Sequence, residues 1–567
     1  MWVLALTAAS SAAAADPTDD RATLRAMQDE LARSMTIEIS GVGKPYFVSY
    51  QMWDLRRAHS YASFGAIVSR NDFRQRTLDI DLRVGDYAFD NSDVVDRALS
   101  HRSITLPLDD EYDAVRRELW LATDRVFKHA AEALERKHAV VGAETKSADD
   151  VDSFSKEPPA HLTDLHEAPA LNPAKLDALA KTLSAVFRLD PDIYRGDVSI
   201  SATSGRHYFV SSEGSESEQP KSFVRTEIEC STQAADGMPL HDTLEFFTKT
   251  TDELPAEREL VAKVKALSAE LSALRAAPVV GDYSGPVLFE GVAAGQLVRT
   301  LLAENLSGTP GERSDHPGQR RGTESQLVGK VGQRIFPRGV EIVDDPTATR
   351  IADQVLVGGA GFDEEGIAAQ KVSLVEDGVF KRFLMSRIPR KGFAHSNGHA
   401  ASSPVSRVAA HPMNLIVQST KAVSDAELRR RAFAAAKEEG LTFILVVEKL
   451  DLRSFDDDFD SSRMVRPGSI ESPTVVKRVY LDGREEYVRG AAFGSINLHD
   501  LREMIALGAK PVVYSYFGEG TSWFSSIFEN GSGYLISIAA PSLLLRAVDV
   551  SKPVGAQRLP PIVPRPS

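Results

Sequence analysis

Val287-Leu-Phe-Glu-Gly-Val-Ala-Ala-Gly-Gln-Leu297 is an apolar, small-residue run that carries one carboxylate, Glu290. Read as a helix, it places Glu290 near the first turn, where the helix dipole favours negative charge. Phe289 and Ala294, on either side of that carboxylate, have no lone pair to give. A protein zinc site draws about three ligands from His, Cys and carboxylates, and this run offers one candidate. Before it, Leu260, Val264, Leu267, Leu271 and Leu274 form the stripe of a core-facing helix over about 254–276, which Pro278 ends. A second domain therefore starts near Gly281.

Downstream the pattern is strand-rich: Glu341-Ile-Val-Asp, Lys371-Val-Ser-Leu-Val, Asn414-Leu-Ile-Val, Thr442-Phe-Ile-Leu-Val-Val and Val475-Val-Lys-Arg-Val-Tyr-Leu. Asp482-Gly483 between two such runs signals a hairpin. Ser424 and Glu427 form a capping box ahead of one clear helix, which Gly440 closes. Upstream, Thr36-Ile-Glu-Ile, Tyr46-Phe-Val-Ser-Tyr, Gly65-Ala-Ile-Val and Leu78-Asp-Ile-Asp-Leu-Arg-Val alternate with the period of half-buried strands. Val115, Leu119, Ala122, Val126, Ala130 and Ala133 then recur at helical spacing. A shorter helix follows at Leu176–Phe187, and strands at Asp197-Val-Ser-Ile-Ser and Ser222-Phe-Val-Arg-Thr-Glu-Ile-Glu.

The fold class is α+β. An N-terminal domain (16–280) has a mixed sheet and long amphipathic helices, with a polar linker or surface loop at 143–172. A C-terminal domain (281–550) is β-rich, as an antiparallel sheet or barrel, and a Pro-rich tail (551–567) cannot pack regularly. With 567 residues, 43% apolar and 26% charged, the composition is that of an ordinary globular chain. A net charge of −14 argues against nucleic acid as a partner. The lone Cys230 excludes an intramolecular disulfide, and no stretch has the length of a membrane span. Residues 1–15 have the layout of a signal peptide, with Ala13-Ala14-Ala15 before Asp16, although no basic residue precedes Arg21. The expected location is outside the cytoplasm, periplasmic or extracellular; a cytoplasmic protein with a disordered or helical tail is the alternative.

Several collinear segments resemble the TldD/PmbA family of metallopeptidases. They are Leu82-Arg-Val-Gly-Asp-Tyr, Ile342-Val-Asp-Asp-Pro-Thr, the acidic turn and strand pair from Gly361-Phe-Asp-Glu-Glu-Gly to Arg387, Ser396-Asn-Gly-His399, Pro412-Met-Asn-Leu and Ala540-Pro-Ser-Leu-Leu-Leu. Active members carry H-E-x-x-x-H where this chain has Val287–Leu297. The resemblance puts Phe289 and Ala294 at the two histidine positions and leaves Glu290 as a vestigial general base. A third family ligand, a cysteine near the C-terminus, is missing from Phe528-Glu-Asn-Gly-Ser-Gly-Tyr534. The resemblance implies a member of the non-catalytic branch. Such a subunit holds no zinc, binds unfolded peptide in a cleft, and pairs as a homodimer or with a homologous zinc-bearing subunit.

Phe289, Ala294, His395, Asn397 and His399 are the expected cleft-lining residues. The alternative is an active metallopeptidase of the same family with zinc at relocated ligands His395, His399 and His411. Set against it, Gly392 and Asn397-Gly398 place these histidines in a loop. Asp456, Asp458 and Asp460 alternate as in a calcium loop, but Pro467 stands where an EF-hand needs Glu. No nucleophile elbow, Walker loop or dinucleotide fingerprint occurs in a credible setting.

Overall fold

The computed structural model describes residues 21–94, 104–142, 151–313, 320–321, 324–401, 408–451, 472–518 and 534–552. The signal-peptide reading, the Asp456–Asp460 loop and all but the first two residues of the Pro-rich tail lie outside these residues.

The N-terminal half is built on two long hairpins. Strands Phe47–Ser63 and Ala66–Arg83 pair with each other, Arg195–Ser211 and Glu216–Gln233 do likewise, and the first strands of the two hairpins pair in the middle. Ile104–Thr105, His161–Thr163 and Pro239–Thr248 complete a seven-stranded sheet, antiparallel except for the short His161 edge. Sequence patterning finds only pieces of these strands. Thr36–Ile39 is not one of them: Ile39 makes a single bridge to Gly43.

One face of this sheet is apolar and carries all the helices. Ala22–Ser34 and Tyr112–Gly142 cover Val48, Tyr50, Met52, Leu78 and Ile80. Pro173–Ala185 and Glu257–Ala276 cover Ala58, Ala62, Val198, Ile200 and Ile228. The Leu260–Leu274 stripe is buried in that second core, as a core-facing helix requires.

The described part of the expected linker or surface loop, 151–172, is mostly exposed and irregular, but it is pinned at two places. Phe154 and Ser155 are buried, and His161–Thr163 adds a parallel strand to the sheet. A polar composition hides one large apolar anchor.

In the C-terminal half, an eleven-stranded sheet is organised around Tyr534–Ser551. That strand pairs with Asn414–Ser419 on one side and Tyr283–Phe289 on the other, and Ala492–Phe493 and Ala506–Gly518 also pair with it. Two pairings are parallel, 414–416 with 537–539 and 287–289 with 445–447. The sheet is therefore mixed, where the strand pattern suggested an antiparallel one. The Asp482-Gly483 hairpin forms between Pro473–Tyr480 and Glu485–Val488, with Gly483 at φ 91°. Ser424 caps helix Asp425–Glu438 by accepting from the Glu427 amide.

The Val287–Leu297 run is not one helix. Val287, Leu288 and Phe289 end a strand, and Gly291, at φ 57°, turns the chain. Helix Val292–Leu301 follows. It lies so close to the sheet that a Cβ on Gly295 would sit 2.7 Å from the Tyr514 Cβ.

Candidate functional site

The expected site residues separate into three places. Phe289 is fully buried in the C-terminal core, its ring 5.8 Å from that of Phe493. Ala294 is equally buried, on the helix face against the sheet. Glu290 turns the other way, to a half-exposed ion pair with Arg429 at 3.5 Å, and Arg429 also holds Glu485 at 2.6 Å. Helix Asp425–Glu438 thus supplies the partner of Glu290.

The histidines gather at the far end of the same sheet. Phe289 stands opposite Leu543, whereas Asn414 stands opposite Ser537. Six residues of strand separate those registers by roughly 20 Å, so Glu290 and the histidines do not share a site. His395 is exposed, with Nδ1 3.4 Å from Glu157. His399 is wholly buried. Its Nε2 faces Asp344 Oδ1 at 3.2 Å, and its Nδ1 faces the Asn397 backbone and side-chain oxygens at 2.9 and 3.0 Å. Asp344 is itself fixed by the amides of Met413 and Asn414. Asn397 is locked by Met385 and Phe383. Both ring nitrogens of His399 are engaged with oxygens, which leaves no free lone pair for a metal.

His411 donates its backbone N–H to the His399 carbonyl at 2.9 Å. Its Nδ1 shares a 2.7 Å hydrogen bond with the Tyr534 hydroxyl, and the two rings lie 4.4 Å apart. His411 as a whole residue is partly buried. The protein packed around it nevertheless strips the charged form of hydration and lowers its pKa to about 4. Burial pushes Tyr534 the opposite way, well above the usual phenol range. An imidazole that stays neutral at pH 7 is a weak base, and a phenol held protonated is a poor nucleophile. The pair suits hydrogen bonding to a bound group better than proton transfer. Beside it, Arg299 from helix Val292–Leu301 donates to Tyr514 at 2.9 Å and lies 4.1 Å over the Tyr516 ring.

A groove of about 230 Å³ on the helix-bearing side of the N-terminal sheet is lined by Arg21, Asp54, Arg56, Arg74, Arg76 and others. Asp54 holds Arg74 and Arg76, Asp72 holds Arg56, and Glu218 holds Arg21. With its cations already paired, the groove offers no clear chemistry.

Residues 281–449 match the family model of the PmbA/TldA metallopeptidase C-terminal domain. A metalloprotease of Archaeoglobus fulgidus is 38% identical over 79 residues, which is 14% of this chain and 17% of that protein. One of Methanothermobacter thermautotrophicus is 41% identical over 64 residues, 11% of this chain and 13% of that protein. These matches thus span under a fifth of the curated relatives' length. The fold likeness runs much further. TldE of Thermococcus kodakarensis superposes with a TM-score of 0.57 at 12% identity, over 93% of this chain and all of that one. A proposed modulator of DNA gyrase from Thermotoga maritima gives 0.59 at 15% identity, over 93% of this chain and 99% of that one.

Residues 281–449 belong to the TldD/PmbA family.

The zinc that the TldD/PmbA resemblance implies does not fit the residues present. Phe289 and Ala294 carry no donor, and both are packed in the core. Among the described residues no set of three His, Cys, Asp or Glu side chains converges. The relocated trio His395, His399 and His411 does not assemble, because His395 lies on the surface and His399 is saturated. Cys230 is buried in the other domain, its thiol held above the usual range by desolvation. Of the expected cleft-lining residues the structure brings His399 and Asn397 into contact, and sequence reasoning missed their surroundings, Asp344, Tyr534, Tyr514, Tyr516 and Arg299. Asp344 lies within a segment that carries the family resemblance, whereas Tyr534 ends the stretch where the resemblance finds the third ligand missing. Only the sheet register shows that the strands bearing them meet.

Proposed function

We propose that this TldD/PmbA-family, metallopeptidase-like protein acts without zinc, as a subunit that binds unfolded peptide or a homologous partner. The observation that carries this reading is the complete burial of Phe289 and Ala294 at the two positions where the resemblance calls for ligands. The His411–Tyr534 pair supports it, since its protonation states favour holding a polar group over activating water. The subunit pairs with a second copy or with a zinc-bearing relative through an interface of at least about 2,000 Å². It works outside the cytoplasm, on the strength of Ala13-Ala14-Ala15 before Asp16.

The test is elemental analysis of the purified chain, with peptide hydrolysis assayed with and without chelator and peptide binding measured by calorimetry. The expected result is zinc well below one per chain, no chelator-sensitive cleavage, and saturable binding of an unfolded peptide. Stoichiometric zinc with chelator-sensitive cleavage overturns the reading in favour of a rearranged metal site, with His411 the first ligand to substitute. A monomeric mass in light scattering, alone and with a homologous subunit, removes the assembly part. Recovery of intact Met1 in cytoplasmic protein removes the export part.

A further inference from the structure

The face of the N-terminal sheet turned away from its helices collects buried polar side chains that have no partner. Cross-strand register sets Gln51 opposite Phe209 and Phe209 opposite Ser217. In the next row Trp53 is opposite His207, and His207 is opposite Gln219. Opposed residues share a face, and neighbouring rows lie within side-chain reach. Gln51, His207, Ser217 and Gln219 are 5%, 2%, 2% and 7% exposed. Gln51 Nε2, both ring nitrogens of His207, Ser217 Oγ and Gln219 Nε2 make no hydrogen bond among the described residues. These five atoms are half of the ten such buried side-chain atoms in the described molecule. Unmatched buried polar groups are destabilising, and native proteins keep few of them. Their concentration in one patch marks a binding position rather than scattered packing defects.

The chemistry of the patch is that of a donor surface. It presents two amide NH₂ groups, a hydroxyl and an imidazole, all able to donate. One row further, opposite Gly205, stands Lys221. It is half-buried, and its charge acts on His207. Donors around an ammonium suit an oxygen-rich anion. The Trp53 ring, 5.3 Å from that of His207, adds an apolar wall.

The C-terminal half roofs this face. Gly361 packs on Leu162 and Gln219, Gly366 packs on Phe209, and Phe517 meets Phe223 edge-on. Glu364, in the same roof segment, acts electrostatically on both Lys221 and Tyr534.

We propose that the Gln51–His207–Ser217–Gln219 patch, with Lys221, receives the carboxylate of a bound peptide, its free C-terminus. This rests on the peptide-binding reading above and assigns the end of the peptide that the N-terminal sheet recognises.

Calorimetric titration of the full chain with acetyl-trialanine as the free acid, and separately as the amide, tests the assignment. The acid should bind about tenfold more tightly, the weight of one hydrogen bond to a charged group. Lys221→Gln and His207→Phe should each reduce that preference to below about twofold. His207→Phe should also raise Tm, because it replaces two unmatched polar atoms with an apolar ring of similar shape. Equal binding of acid and amide overturns the carboxylate site while leaving peptide binding intact. Binding of neither ends both proposals. A lowered Tm in His207→Phe without acid preference means ordered water only, and also overturns the site.

Discussion

The guanidinium of Arg387, from the C-terminal half, lies 4.0 Å from the centre of the Phe154 ring. Arg83 of the N-terminal sheet lies 3.6 Å from the same centre. Two guanidinium groups cannot share one ring face at those distances, so Phe154 is sandwiched between the halves of the molecule. Arg387 is also bound by the Ser155 carbonyl and by Glu213 at 2.6 Å. Phe154→Ala should lower unfolding free energy by about 3–5 kcal/mol, the usual range for a buried aromatic. Phe154→Leu should recover most of that loss while still forfeiting the cation–π part, about 1–2 kcal/mol. Urea melts of the two variants decide this, and equal losses would mean the aromatic face is irrelevant.

Two buried carboxyls next to that contact give a pH prediction. Desolvation, and then the charge of Asp363, push Glu365 up to about 8; desolvation likewise pushes Asp363 up to about 6. A folded-state pKa above the unfolded value means that the folded protein binds more protons. The stabilisation is therefore complete only below the unfolded values, 4.5 for Glu365 and 3.8 for Asp363. It is lost as pH rises through 6 and 8. Tm measured from pH 5 to pH 9 should fall across this window, and Glu365→Gln should flatten the upper part of the fall. An unchanged slope in that variant would show that Glu365 is not the titrating group.

Gly295→Ala tests how closely helix Val292–Leu301 lies on its sheet. In an open helix the change gains up to about 1 kcal/mol. Here the new Cβ would meet the Tyr514 Cβ at 2.7 Å. A net loss of about 1–3 kcal/mol is expected, measured by chemical denaturation. A gain would mean that the helix can lift away.

Restoring the missing histidines should damage the fold without restoring chemistry. Phe289→His puts an unpaired imidazole into an apolar core and removes a packed ring. The expected cost is about 3 kcal/mol or more. The double variant with Ala294→His should gain no tight zinc, because the strand–turn–helix geometry sets residues 289 and 294 on different elements. Isothermal titration with zinc and a thermal melt check both halves of the statement.

Glu290→Gln should change stability by less than about 1 kcal/mol, since its partner Arg429 is partly exposed and keeps Glu485. It should leave peptide binding unaltered in calorimetry, as Glu290 faces away from the His411 end. A large loss of binding would relocate the site.

The sequence was most legible where one local rule governs an element. The Val115–Ala133 stripe became helix Tyr112–Gly142, and Ser424 capped its helix as the box predicts. Short apolar runs are ambiguous between helix and strand, and Val287–Phe289 resolved as strand because Gly291 turns the chain with a positive φ. The long hairpins were read in fragments, because charged residues such as Arg56, Arg57, Arg70 and Arg74 interrupt the alternation on their solvent-facing parts. The site was legible only in pieces: His399 and Asn397 are close in sequence, whereas Asp344, His411 and Tyr534 meet only through the register of the C-terminal sheet.

That register also constrains the order in which the molecule can be made. Tyr534–Ser551 joins two groups of strands, one ending in Asn414–Ser419 and the other in Tyr283–Phe289. Every strand it pairs with precedes it in the chain. During synthesis the two groups must wait, each with an open edge of unpaired amides and carbonyls, until this strand emerges from the ribosome. Open edges of this kind template association with other chains, and late long-range pairing is slow. A nascent chain stalled before residue 534 is the species that a chaperone would have to protect.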